Sequence, residues 1–111
     1  MEGVPLGHAT ATFDITSTNA AQALTAAELF GSDGVSRPIG ALISARANDI
    51  KFAIAADPVS AGLGHLLDVS ADSSVTLLSG TQVKNFRFIS AVAGAHGVLS
   101  TTIFFESGKG D

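Results

Sequence analysis

Two strand-like runs, residues 40–47 and 50–56, stand back to back with only Asn48-Asp49 between them. A two-residue Asn-Asp connection suits the backbone twist of a tight reversal, so the pattern predicts a β-hairpin. Side chains alternate across a strand, which puts Ile50, Phe52 and Ile54 on one face and Lys51, Ala53 and Ala55 on the other. In the first run Ala41, Ile43 and Ala45 share a face, opposite Leu42, Ser44 and Arg46. Most of the chain has the same texture of short β segments separated by turn residues.

Residues 1–8 contain Gly, Pro and His and read as an extended arm. Ala9, Ala11, Phe13 and Ile15 then alternate with Thr10, Thr12, Asp14 and Thr16, the pattern of a half-buried strand ended by Ser17-Thr18-Asn19. Residues 20–30 mix helix-favouring Ala, Gln, Leu and Glu, and the reading adopted is a turn followed by a short strand over 24–29. Gly31-Ser32-Asp33-Gly34 opens a loop that Arg37-Pro38 prolongs, because a residue before proline avoids the α region. Asp57-Pro58 ends the central pair, and residues 60–64 form a flexible loop of small residues. Further strands are expected over 65–69, 74–78, 88–92 and 98–106, with a helical turn at 83–86 and a turn at Gly94-Ala95-His96-Gly97. In the last strand Leu99, Ile103 and Phe105 face the core. Residues 107–111 read as a frayed tail.

Seven or eight closely spaced, mostly antiparallel strands indicate an all-β sandwich or barrel over residues 9–106 as one domain. A chain of 111 residues buries roughly 60–70% of its unfolded surface, so a core forms without staples. With no cysteine, stability comes from burial, and 46% hydrophobic residues supply it. The 14% charged fraction is low and suggests that part of the surface meets a partner. Six basic residues are scattered through a chain of net charge −4, so no basic stripe exists for nucleic acid. No stretch approaches the roughly 18 apolar residues of a membrane span, and the N-terminus lacks a signal-peptide pattern. A soluble chain synthesised in the cytoplasm is expected.

Reactive chemistry finds little support. His8, His65 and His96 are far apart and lack zinc-ligand spacing, so local hydrogen bonding explains them better than metal or acid–base work. Asp49, Asp57, Asp68 and Asp72 fall at turns or strand ends, where carboxylates bond their own backbone. Gly62-Leu63-Gly64-His65 lacks the third glycine and the following helix of a dinucleotide loop, and no Gly-x-Ser-x-Gly elbow occurs. No enzyme, cofactor or metal is expected. Arg87, between Phe86 and Phe88, lies on the face opposite both rings, either solvated or paired with a neighbouring carboxylate.

The segments Ile43-Ser44-Ala45-Arg46-Ala47-Asn48-Asp49-Ile50-Lys51-Phe52, Asp57-Pro58, Gly64-His65-Leu66-Leu67, Val83-Lys84-Asn85-Phe86-Arg87-Phe88-Ile89 and Phe104-Phe105-Glu106 carry a resemblance. In their Ala/Ser/Thr/Gly-rich strands and absent cysteine they resemble small structural proteins of tailed-bacteriophage virions, and the length is similar to that of capsid decoration (cement or staple) proteins. The resemblance implies a jelly-roll-like β-sandwich with an extended N-terminal arm. It further implies a virion location on the outer capsid surface, the major capsid protein as partner, and self-association as a dimer or trimer. Val4, Leu6, Val59, Leu63, Leu66, Arg46 and Arg87 are the candidate partner-binding residues. The alternatives are a head–tail adaptor or a receptor- or carbohydrate-binding module, the latter disfavoured by the absence of Trp and Tyr.

Overall fold

In the computed structural model, residues 10–25, 28–29 and 37–106 are described. They form eight strands: β1 Thr10–Thr16, β2 Gln22–Ala23, β3 Pro38–Arg46, β4 Ile50–Ile54, β5 His65–Leu67, β6 Ser74–Leu77, β7 Phe86–Ser90 and β8 Val98–Phe105. A 3₁₀ turn, Val69–Ala71, precedes β6, and a short helix α1, Gly80–Lys84, precedes β7. The strands make two four-stranded antiparallel sheets, ordered β1-β8-β3-β6 and β2-β7-β4-β5. Apart from β4 and β5, consecutive strands lie in opposite sheets. That ordering is a jelly roll, as the resemblance implies.

The connection at Asn48-Asp49 is therefore not a hairpin. β3 belongs to the first sheet, where it pairs with β8 and β6, while β4 pairs with β7 and β5 in the second. Ala47 takes φ 73°, and the Asn48 amide donates to the Arg46 carbonyl at 3.0 Å, which closes a three-residue turn. Turn chemistry at this corner reverses the chain but does not choose its sheet. The choice falls to burial: Ala41 and Ile43 from one sheet and Ile50 and Phe52 from the other fill the same core. Gly97 permits the corner, since a Cβ there would sit 2.1 Å from the Asn48 carbonyl oxygen.

The facing assignments hold for Ala41, Ile43, Ile50 and Phe52, and Leu99, Ile103 and Phe105 point inward as expected. Ile54 does not, because β4 ends there and its side chain is 38% exposed. Phe86 sits at the centre of the core, stacked on Phe52 at 5.5 Å and on Phe88 at 5.9 Å between ring centroids. Burying each such ring contributes about 1.5–3 kcal/mol.

Two short helical features displace the expected elements. Among the described residues of 24–29 the expected strand is absent: β2 ends at Ala23, and Glu28 and Leu29 are helical. Thr25 and Glu28 cap each other's amides, with Glu28 Oε1 accepting from Thr25 N–H at 2.7 Å and Thr25 Oγ1 from Glu28 N–H at 3.3 Å. The helical turn expected at 83–86 starts earlier, at Gly80, because the Ser79 side chain caps the Gln82 amide and Gln82 Oε1 accepts from Leu78 N–H. Pro38 opens β3 rather than extending a loop, since a strand's first residue tolerates proline. The arm at 1–8, the loop at 31–34 and the tail at 107–111 lie outside the described residues.

Candidate interaction surface

Between β4 and β5 the chain leaves the sheet and folds back over its outer face. Ala55 takes φ 61°, and its amide donates to the Asn85 carbonyl at 2.8 Å, which turns the chain out of β4. The loop is pinned along its length. Val59 N–H donates to the Leu63 carbonyl at 2.7 Å, and Gly62 N–H donates to the Val59 carbonyl at 3.0 Å. The Ser60 hydroxyl donates to the Ser90 carbonyl at 2.7 Å, and Lys51 Nζ donates to the Gly62 carbonyl at 3.0 Å. Gly64 closes the loop at φ 138°, where a Cβ would stand 3.1 Å from Pro58 Cβ and 3.3 Å from Lys51 Cβ.

Ala53 and Ile89 share the outer face of this sheet with Lys51 and are buried. The loop anchored at Lys51 and Ser90 crosses that face. What it turns outward is apolar: Val59 is 53% exposed and Leu63 59%, and the adjoining Leu66 of β5 is 48% exposed. Val59 and Leu63 are joined by a hydrogen bond, and Leu66 pairs across the ladder with Lys51, whose ammonium holds Gly62. Lys51 thus anchors from β4 the loop that exposes Val59 and Leu63, with Leu66 of β5 beside it on the ladder.

The other candidates separate from this group. Arg46 lies in the opposite sheet, paired with Asp14 at 2.6 Å, with both groups exposed. Its guanidinium and the Ser100 hydroxyl hold the Asp14 carboxyl below the usual carboxylate range. Arg87 is on the same sheet as the loop, half-buried, and donates to the carbonyls of Lys84 and Phe86, each at 3.1 Å. Its Nε stands 4.0 Å from Asp57 at the loop's root, so the cation braces the loop's entry. Val4 and Leu6 lie outside the described residues. Sequence reasoning missed Lys51 as an anchor. The Pro58, Gly62 and Gly64 spacing signals a loop, but nothing local says which strand residue will hold it.

Two polar clusters bear on chemistry. Asn48, Asp49, Asp68, Val69, Ser70, Val92 and Ala95 line an open cleft of about 250 Å³ at the β3–β4 corner. Its carboxylates serve the backbone: Asp49 Oδ1 accepts from Val69 N–H at 2.9 Å, and Asp68 Oδ1 accepts from the Ser70 amide and hydroxyl. Those bonds from Ser70 hold the Asp68 carboxyl below its ordinary value. Among the described residues no group of three or more His, Cys, Asp or Glu is placed to hold a metal ion.

The second cluster joins Ser17, Ser90 and His96. Gly97 N–H donates to Ser17 Oγ at 2.9 Å, Ser17 Oγ meets Ser90 Oγ at 2.7 Å, and Ser90 Oγ meets His96 Nδ1 at 2.8 Å. Both hydroxyls are buried, so a substrate does not reach them, and the network ties the end of β1 to the end of β7. His65 rests against the Phe52 ring at 5.3 Å. Among the described residues no helix is long and apolar enough to cross a membrane.

The fold and this surface define a jelly-roll β-sandwich that presents an anchored apolar loop on one sheet. No family model, curated protein or solved structure matches the chain.

Proposed function

We propose that this protein is a non-enzymatic virion component that binds the outside of a tailed-phage capsid and bridges neighbouring major capsid protein subunits. The observation that carries the reading is the loop bearing Val59 and Leu63, with Leu66 beside it on β5, whose apolar side chains face solvent while the loop backbone is fixed to the sheet. A fixed loop loses little conformational entropy on docking, so its apolar surface converts more fully into affinity. Jelly rolls serve viral capsids, lectins and cupins alike, so the fold permits the role without selecting it. The resemblance in sequence texture supports the virion choice. On a shell of many identical sites, modest single-site affinity is sufficient where two contacts are made at once.

The experiment is purification of intact virions from the phage encoding the chain, followed by release of bound proteins under mild conditions. Recovery of this chain from the particle exterior, and its rebinding to stripped shells, is the expected result. Its absence from purified virions refutes the reading. A Leu63→Asp, Leu66→Asp double variant is expected to rebind at least tenfold more weakly, as for buried apolar anchors.

A further inference from the structure

We propose that the outer edge of β1 is a pairing site for β1 of a second copy of this chain, joined antiparallel about a two-fold axis through Phe13. The inference stands apart from the capsid reading and uses a different part of the molecule. β1 runs seven residues without a register break and pairs with β8 on one side; among the described residues no strand occupies its other side. The remaining sheet edges, β2, β5 and β6, are two, three and four residues long. Short edges discourage strand addition, whereas a long straight one invites it.

The hydrogen-bonding parity of β1 is fixed by one bond. Ser17 N–H donates to the Gly97 carbonyl, one position beyond the Thr16–Val98 pair. Hydrogen-bonded pairs alternate along an antiparallel ladder, so Ala11, Phe13 and Ile15 direct their backbone groups to β8. Thr10, Thr12, Asp14 and Thr16 then direct theirs to the open edge. A second β1 satisfies all of them in one register, with Thr10 opposite the partner's Thr16 and Thr12 opposite the partner's Asp14. In that register Phe13 faces the partner's Phe13 across a non-hydrogen-bonded position, and Ala11 faces the partner's Ile15.

The side chains suit this register on both faces. Ala11, Phe13 and Ile15 turn toward the core but are only half-buried, in contrast to the fully buried Leu99, Thr101 and Ile103 on β8. Pairing extends the core over them. On the other face no like charges meet, since Asp14 is the sole charge on β1 and is drawn back over its own sheet by Arg46 and Ser100. No proline, lysine or bulge guards the edge. The product is a continuous eight-stranded sheet, and each copy keeps its β4–β5 loop on its other sheet.

A chain without cysteine gives a direct test. Phe13→Cys places one thiol from each copy at a non-hydrogen-bonded pair, where Cα atoms stand about 4.5 Å apart, inside the disulfide range. Mild oxidation is expected to give a covalent dimer with Phe13→Cys and none with Thr76→Cys on the β6 edge. By sedimentation the unmodified chain is expected at twice its 11.2 kDa mass at micromolar concentration. Thr12→Pro removes one outward amide and is expected to leave a folded monomer. If that variant fails to fold, the cross-link decides alone. A monomeric unmodified chain, no cross-link at residue 13, or a dimer dissolved by Leu63→Asp with Leu66→Asp overturns the proposal.

Discussion

The outer faces of the two sheets solve the same problem in opposite ways. On the β1-β8-β3-β6 sheet, polar groups satisfy one another across the strands: Thr12 and Thr102 hydroxyls meet at 2.9 Å, and Asp14 takes both Arg46 and the Ser100 hydroxyl. Leu42 is exposed there between Thr76 and Thr102, and Leu78 just past β6 is 69% exposed, single apolar residues that are ordinary for a surface. On the β2-β7-β4-β5 sheet a loop spends its hydrogen bonds on anchoring itself and leaves Val59 and Leu63 facing outward beside Leu66 of β5. A polar ladder is complete in water. An anchored apolar loop leaves nonpolar surface in water, and that asymmetry supports the proposal that capsid recognition falls on this sheet.

Several substitutions break or sharpen this contrast. The largest effect is expected from Phe86→Ala, which removes the ring stacked on both Phe52 and Phe88. A loss of about 3–5 kcal/mol is expected, because a cavity is left in a shared core. Denaturant unfolding should show both faces lost together. Gly64→Ala separates them. It forces a side chain onto φ 138° against Pro58 and Lys51, at a cost of about 1–3 kcal/mol. Hydrogen exchange should accelerate at residues 57–64 while β1 and β8 amides keep their protection.

Thr101→Val acts in the other direction. Thr101 is fully buried on β8 and its hydroxyl has no hydrogen-bond partner, so an isosteric apolar side chain is expected to stabilise by about 1 kcal/mol. A higher melting temperature with both faces unchanged is the expected outcome. The smallest effect belongs to Arg46→Gln. Asp14's folded carboxyl lies below its ordinary value, so its pairing stabilises above that value and is lost as pH falls through the folded one. Without Arg46 an NMR titration should find the Asp14 midpoint moved up, and loop amides should not move.

The strand faces were legible in the sequence, while the sheet assignments were not. Period-two alternation locates β1 and most of β8 and orients Ile43, Ile50 and Phe52 correctly, because that signal is local. The Asn48-Asp49 reversal reads identically as a hairpin or an inter-sheet corner. What separates the two is pairing of β3 with β8, more than fifty residues away. The two helical features were signalled by Thr25-x-x-Glu28, which cap each other's amides, and by Ser79-x-x-Gln82, where Ser79 caps the Gln82 amide and Gln82 accepts from Leu78 N–H. Of the candidate surface, Val59, Leu63 and Leu66 stood out as apolar residues in a segment without periodicity. Lys51 did not, since its reach to the Gly62 carbonyl exists only after the loop folds over the strand.

The most direct test of recognition by one sheet is hydrogen exchange of the full chain, free and bound to stripped capsids, read amide by amide. New protection confined to residues 57–66, with residues 98–104 unchanged, is the predicted result. Protection spread over the outer face of the β1-β8-β3-β6 sheet, with residues 57–66 exchanging as in the free chain, would contradict it.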